Sequence, residues 1–382
     1  MKKFSKDEMK NIYKHRRDFL ARFMNDNGID VIVIVDNEDT RDANLRYFCG
    51  HICDGILIIK NDGSCFLIPW DVNLAKDYAF ADKIIPFTRY ERDKIKAISS
   101  VLNSFPAKSK MVVEIPPVTS YPDFLKIIDA VPGWDVRCKE NSAHSFIAAM
   151  RAVKDEYEIS CIKEAAKIGD KIINAIESKI KKNKIKTETD VALFIESECR
   201  KHGCEKTGFD TLAAGPERSF AIHCFPNYTS GNWPDNGLSI LDFGVVYNGY
   251  TSDTTLTVAK GKLSPSQNKL IELVEKAAEV GKQFYKKDIP LRLAASKVDE
   301  VFKKAKRSMP HGLGHGIGLA IHEFPFVRPK AEPEVVFIPG MVVTLEPGLY
   351  DKDLGGVRLE NDILITETGN EVLTNSRIIR ID

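Results

Sequence analysis

The chain has 382 residues, 43% of them apolar and 29% charged, which is the composition of an ordinary globular protein rather than a disordered or fibrous one. Its 55 Lys and Arg against 54 Asp and Glu leave a formal net charge of +1, so nothing in the charge balance points to nucleic acid or an anionic membrane. The eight cysteines, at 49, 53, 65, 138, 161, 199, 204 and 224, contain no C-x-x-C pair and do not resemble a disulfide framework; free thiols in a reducing compartment are expected.

The first segment, MKKFSKDEMKNIYKHRRDFLARF, carries acids and lacks an apolar h-region, which argues against a signal peptide. It reads as an amphipathic helix with Phe19, Leu20, Phe23 and Met24 on one side and Gly28 as its stop. Strand-like runs follow at Val31–Val35, Gly55–Ile59, Ser64–Ile68 and Met111–Ile115, with a helix at Asp93–Leu102, an α/β pattern. The apolar runs are strand-sized, far below the roughly 18 residues that span a membrane, and a cytoplasmic protein is expected. Near residue 145 the character changes. A long helix begins at Lys154, with Ile159, Ile162, Ala166, Gly169, Ile173, Ile176 and Ile180 as its buried stripe. A second runs from Thr187 to Gly203. A third starts at Ser264-Pro265-Ser266-Gln267, which offers an N-cap Ser, Pro at the first helical position and Gln three residues after the cap. Strands rich in Val, Ile and Thr lie between and after these helices. The domains are therefore placed at 1–149 and 150–382.

Chemistry concentrates in the second part. Asn248-Gly249 separates two β-prone runs and predicts a two-residue hairpin turn. Counting back from it, residue 242 faces 255 and residue 244 faces 253, so Asp242 and Asp253 are diagonal neighbours on one face, roughly 7–8 Å apart at the backbone. Asp is depleted in strands, and buried carboxylates are costly unless paired or metal-bound. The hairpin alone leaves two readings open, a metal site and a solvated acidic face. Next comes Pro310-His311-Gly-Leu-Gly-His315-Gly-Ile-Gly-Leu-Ala-Ile-His322-Glu323. No apolar strand precedes it, so a phosphate cradle is disfavoured; glycines that pack the backbone around His315 are the better reading. Glu346 and Glu360 each lie in an apolar strand context, and Arg358 alternates onto the face of Glu360, where a simple Arg–Glu pair is the bland alternative. Four acids and one imidazole suit hard to borderline divalent ions and exceed the ligands of one tetrahedral zinc; two ions roughly 3.5–4 Å apart would use them.

The blocks LDFG…NGYTSD, HGLGHGIGL…HE, TLEPG and GVRLEND resemble the pita-bread-fold (M24) metallopeptidases: aminopeptidase P, Xaa-Pro dipeptidase (prolidase) and methionine aminopeptidase. Asn44-Leu-Arg-Tyr-Phe-Cys-Gly50 resembles the creatinase/prolidase N-terminal domain, which methionine aminopeptidase lacks. The resemblance implies an α/β N-terminal domain and an α+β pita-bread catalytic domain. It implies hydrolysis of Xaa-Pro bonds through a hydroxide held between two divalent ions, Mn²⁺ first, with Co²⁺, Zn²⁺ or Fe²⁺ as alternatives. Asp242 and Asp253 would hold one ion, His315 and Glu346 the other, with Asp253 and Glu360 bridging and Glu346 relaying the proton. His223 and His322 would contact substrate, and Arg358 would orient ligand carboxylates. The implied partners are proline-containing peptides and a second copy of the chain in a homodimer.

Two departures stand out: Leu256 where the family often has Arg, and Phe326 where prolidases tend to carry a carboxylate-gripping Arg, with Arg328 nearby. The second leans toward peptides longer than two residues. A creatinase-like, metal-independent amidinohydrolase and a non-enzymatic binding protein share the fold, and both would have lost the ligands this chain keeps.

Overall fold

The computed structural model describes residues 4–106 and 110–381. The chain divides into two compact units between Ala149 and Met150.

The N-terminal unit is built on a six-stranded mixed sheet. Its spatial order is Lys83–Ile84, Cys65–Pro69, Gly55–Lys60, Val31–Asp36, Met111–Glu114 and Trp134–Arg137. Each predicted strand is present within a residue or two, because alternating Val and Ile bury one face on the helices Lys94–Leu102 and Tyr121–Ala130. Asp93 and Ser120 cap those helices through their side chains. The first helix, Lys6–Asp26, corrects the predicted stripe. Leu20 and Met24 are buried, but Phe19 is 42% exposed, and two arginines take part of the inner face. Arg16 donates to the Tyr47 carbonyl at 2.8 Å and Arg17 to the Phe48 carbonyl at 2.9 Å. Guanidinium groups satisfying the last carbonyls of the Ala43–Cys49 helix are invisible to a hydrophobic count.

The second unit packs helices Glu156–Lys181, Glu188–Lys201, Pro265–Phe284 and Leu291–Lys304 on two antiparallel-rich sheets. Three of these helices begin with reciprocal capping boxes, Asp155 with Glu158, Thr187 with Asp190, and Ser264 with Gln267. One sheet runs Ile378–Ile381, Thr254–Lys260, Gly237–Phe243, Leu212–Ala214. The other runs Glu323–Val327, Gly314–Gly316, Val342–Leu345, Asn361–Ile365, Asn370–Val372. The hairpin keeps the counted register: Tyr247 pairs with Tyr250 and Asp242 with Thr255. Asn248 and Gly249 both have positive φ, 48° and 84°, as a turn of that hand requires. A single bridge, Thr255 to Glu360, links the two sheets. That bridge brings the acid-bearing hairpin against the strands carrying the remaining candidate ligands. All eight cysteines are free. Among the described residues no helix is long and apolar enough to cross a membrane.

Candidate metal centre and active site

Asp242 is the penultimate residue of the Gly237–Phe243 strand, and Asp253 immediately precedes the Thr254–Lys260 strand. His315 is the middle residue of Gly314–Gly316, Glu346 follows Val342–Leu345, and Glu360 lies between Gly355–Arg358 and Asn361–Ile365. The fold brings all five onto one cavity of about 470 Å³, which His223, His311 and His322 also line. Asp253, His315 and Glu360 each offer a ligand atom, and these atoms lie within 4.8 Å of one another. His315 Nε2 is 3.7 Å from Asp253 Oδ2 and 3.6 Å from Glu346 Oε1.

The glycines of the histidine run explain how a strand comes this close. A Cβ on Gly314 would stand 1.9 Å from the Thr344 carbonyl oxygen, and one on Gly316 would stand 2.5 Å from that of Phe324. Only a bare backbone fits, and it delivers His315 into the cavity, with its amide held by the Thr344 hydroxyl at 3.0 Å.

The electrostatics are those of a site short of positive charge. Burial, then the charges of Glu360, Asp242, Asp362 and Glu346, push the Asp253 carboxyl far above its usual range. Burial, then Glu346 and Asp242, do the same to Glu360. Burial holds the His315 and His311 imidazoles down at about 4, the neutral form that ligates metals. Asp242 Oδ1 and Asp253 Oδ1 are buried with no hydrogen-bond partner. Mutually repelling buried acids, carboxylate oxygens without a partner, and a donor set of oxygens plus one imidazole all fit a divalent ion.

Arg358 is the one guanidinium in contact with these acids among the described residues, and it sits behind them. It donates to Asp242 Oδ2 at 2.7 Å, Thr255 at 2.9 Å, the Tyr350 hydroxyl at 2.8 Å and the Ile222 carbonyl at 3.0 Å. The anticipated Arg358–Glu360 pair is not the contact made; Glu360 instead accepts from the Thr255 hydroxyl at 2.6 Å.

Two further groups belong to the site. His311 bonds the Tyr350 hydroxyl at 3.0 Å and lies 3.8 Å from Glu346 Oε2. Its signal was present in the glycine–histidine run. Tyr350, its hydroxyl pushed up to about 12 by burial, follows Glu346-Pro-Gly by two residues and carries no pattern that would single it out. The rest of the wall is apolar on one side, with Phe209, Leu212, Ile222 and Ile321. Phe326 pairs across the strands with His315 and is 45% exposed. Among the described residues no Lys or Arg lines the cavity.

Residues 160–367 match the model of metallopeptidase family M24, and residues 16–133 match the creatinase/prolidase N-terminal domain. The Xaa-Pro dipeptidase of Pyrococcus furiosus is 30% identical over 373 residues, covering 95% of this chain and 98% of the relative. Among solved structures, the Xaa-Pro dipeptidase from Bacillus anthracis superposes with a TM-score of 0.83 at 26% identity, over 96% of this chain and 99% of that one. The X-Pro aminopeptidase from Thermotoga maritima superposes with a TM-score of 0.80 at 26% identity, over 92% and 98%.

Proposed function

The chain belongs to metallopeptidase family M24 and carries the family's pita-bread catalytic fold behind a creatinase/prolidase-type N-terminal domain; from that premise we propose an exopeptidase that hydrolyses the bond preceding proline with two divalent metal ions. One observation carries the reading: five ligands from five separate chain segments converge on a cavity that histidines share.

In this proposal Asp242, Asp253, His315, Glu346 and Glu360 would hold the ions. Bound divalent ions would supply a water acidic enough to attack at neutral pH and polarise the scissile carbonyl. The chain does the rest. Glu346, flanked by the Thr344 hydroxyl at 3.5 Å, takes the attacking water's proton and passes it to the leaving nitrogen. His223 and His322 donate to the scissile carbonyl oxygen as negative charge develops there. Arg358 fixes the plane of Asp242. Phe209, Leu212, Ile222 and Ile321 offer the apolar wall a pyrrolidine ring needs.

The lack of a cationic wall residue favours substrates with more chain beyond proline, because a dipeptide's free carboxylate finds no partner here. Manganese and a homodimer complete the proposal. Metal analysis with turnover of Ala-Pro-Ala against Gly-Pro tests it. Cleavage of Ala-Pro-Ala at least as fast as Gly-Pro is expected. Cleavage of neither after restoring Mn²⁺, Co²⁺ or Zn²⁺ ends the peptidase reading, and sedimentation of a monomer ends the dimer.

A further inference from the structure

We infer that Glu188 is the positioning residue for His223: it fastens both roots of the loop that presents this imidazole to the cavity. The inference rests on the proposed peptidase reading for its kinetic test, though not for its geometry.

Glu188 opens the Glu188–Lys201 helix and is 1% exposed. Its carboxylate faces donors only. It accepts from the Gly215 amide at 2.7 Å, the Thr229 amide at 2.7 Å, the Thr229 hydroxyl at 2.6 Å and the Arg218 guanidinium. Gly215 and Thr229 are the two ends of the segment containing His223. The helix backbone repeats the tie: the Glu188 amide donates to the Gly231 carbonyl at 2.9 Å and the Thr189 amide to that of Thr229 at 3.0 Å. These are helix-start amides that would otherwise lack partners.

Arg218 extends the brace inward. One arm meets Glu188, and the other donates to the Pro226 carbonyl, so the residues around His223 are closed into a ring between positions 218 and 226. Arg358 adds a third point at the Ile222 carbonyl. Among the described residues the His223 ring makes no hydrogen bond of its own, so its place depends on this frame. A carboxylate supplies about four acceptor sites to four donors. A glutamine of the same shape turns an amide donor toward one of them, which makes Glu188→Gln the informative change.

The test is a double-mutant cycle. E188Q is expected to lower kcat on Ala-Pro-Ala by about 10- to 100-fold, with metal content unchanged, as slight misplacement of a reacting group does. Combined with H223A it should cost nothing beyond H223A alone, because the two act through one group. In ¹⁵N-histidine spectra of the metal-free protein, the His223 signal should move in E188Q while that of His322 stays. Losses that multiply in the double variant, activity within twofold of wild type, or an unmoved His223 signal each overturn the inference. If E188Q does not fold, T229V removes one donor and runs the same cycle. A wild type that cleaves no Xaa-Pro peptide sinks the peptidase reading alone, and the imidazole signal then decides the question.

Discussion

Two sets of buried acids in the catalytic unit have opposite surroundings. Asp253 and Glu360 are 4% and 3% exposed, and the charges that weigh most on them are those of other acids. Glu323 is just as sequestered, but it meets the Arg151 guanidinium, the Lys154 ammonium at 3.6 Å and the Ala320 amide at 2.8 Å. Burial pushes the Glu323 carboxyl up, yet Arg151 and Lys154 win and hold it below its ordinary range. Burial alone therefore does not mark a metal site. The mark is burial without compensation, and the largest effects should fall where compensation must come from outside the chain.

Asp253→Asn should have the greatest consequence, a loss of about 10⁴-fold in kcat/KM on Ala-Pro-Ala. In EDTA the same variant should be more stable than the metal-free wild type, by about 1 kcal/mol, because one repelling charge is gone. Denaturant melts check the sign, and a less stable metal-free variant would mean that Asp253 is internally paired like Glu323.

Glu323→Ala is the converse experiment. It strands Arg151 and the fully buried Lys154, and a broken buried pair costs about 3–5 kcal/mol. The pH dependence has a definite sign. A carboxyl held below its ordinary value stabilises the fold above that value and loses the contribution as pH falls through the folded one. Of the facing groups, Arg151, Lys154 and the Ala320 amide all favour the ionised Glu323 carboxyl, and the one further acid, Glu158, acts on Lys154, whose charge it supports. Urea midpoints should therefore fall below pH 4–4.5 in wild type and flatten in Glu323→Gln.

Metal addition supplies the compensation directly. Loading the wild type at about 100 times the dissociation constant should add about 2.7 kcal/mol, and the Asp253→Asn variant should gain much less. An equal gain in both would place the ion elsewhere.

The same contrast sets what the sequence disclosed. Asp242, Asp253, Glu346 and Glu360 were legible because acids in apolar strand runs break the period-two pattern, and Asn248-Gly249 fixed the register of the first two. His315 was legible through its glycines. Glu188 and Glu323 were not, since an acid at a helix start or after a histidine looks like ordinary surface, and their partners Arg218 and Arg151 lie 30 and 172 residues away. Arg16 and Arg17 escaped notice in the first helix for the same reason. Long-range pairing leaves no local signal, whereas acids set into or beside apolar strands leave a visible irregularity in the sequence.

The smallest expected effect asks whether compensation can be moved to the rim. Phe326 stands opposite His315 across the strand pair and is half-exposed. Phe326→Arg offers the free carboxylate of a dipeptide the partner that the wall lacks. It should raise kcat/KM for Gly-Pro relative to Ala-Pro-Ala by about 3- to 10-fold, mainly through KM, as a partly solvated ion pair worth about 1 kcal/mol allows. A guanidinium that folded back onto Glu346 or Asp253 would instead weaken metal binding and slow both substrates together. Comparing the ratio of the two rates with the metal content of the variant separates these outcomes. An unchanged ratio at full metal occupancy would mean that position 326 does not reach the substrate carboxylate, and would remove Phe326 as a ground for the proposed preference for longer peptides.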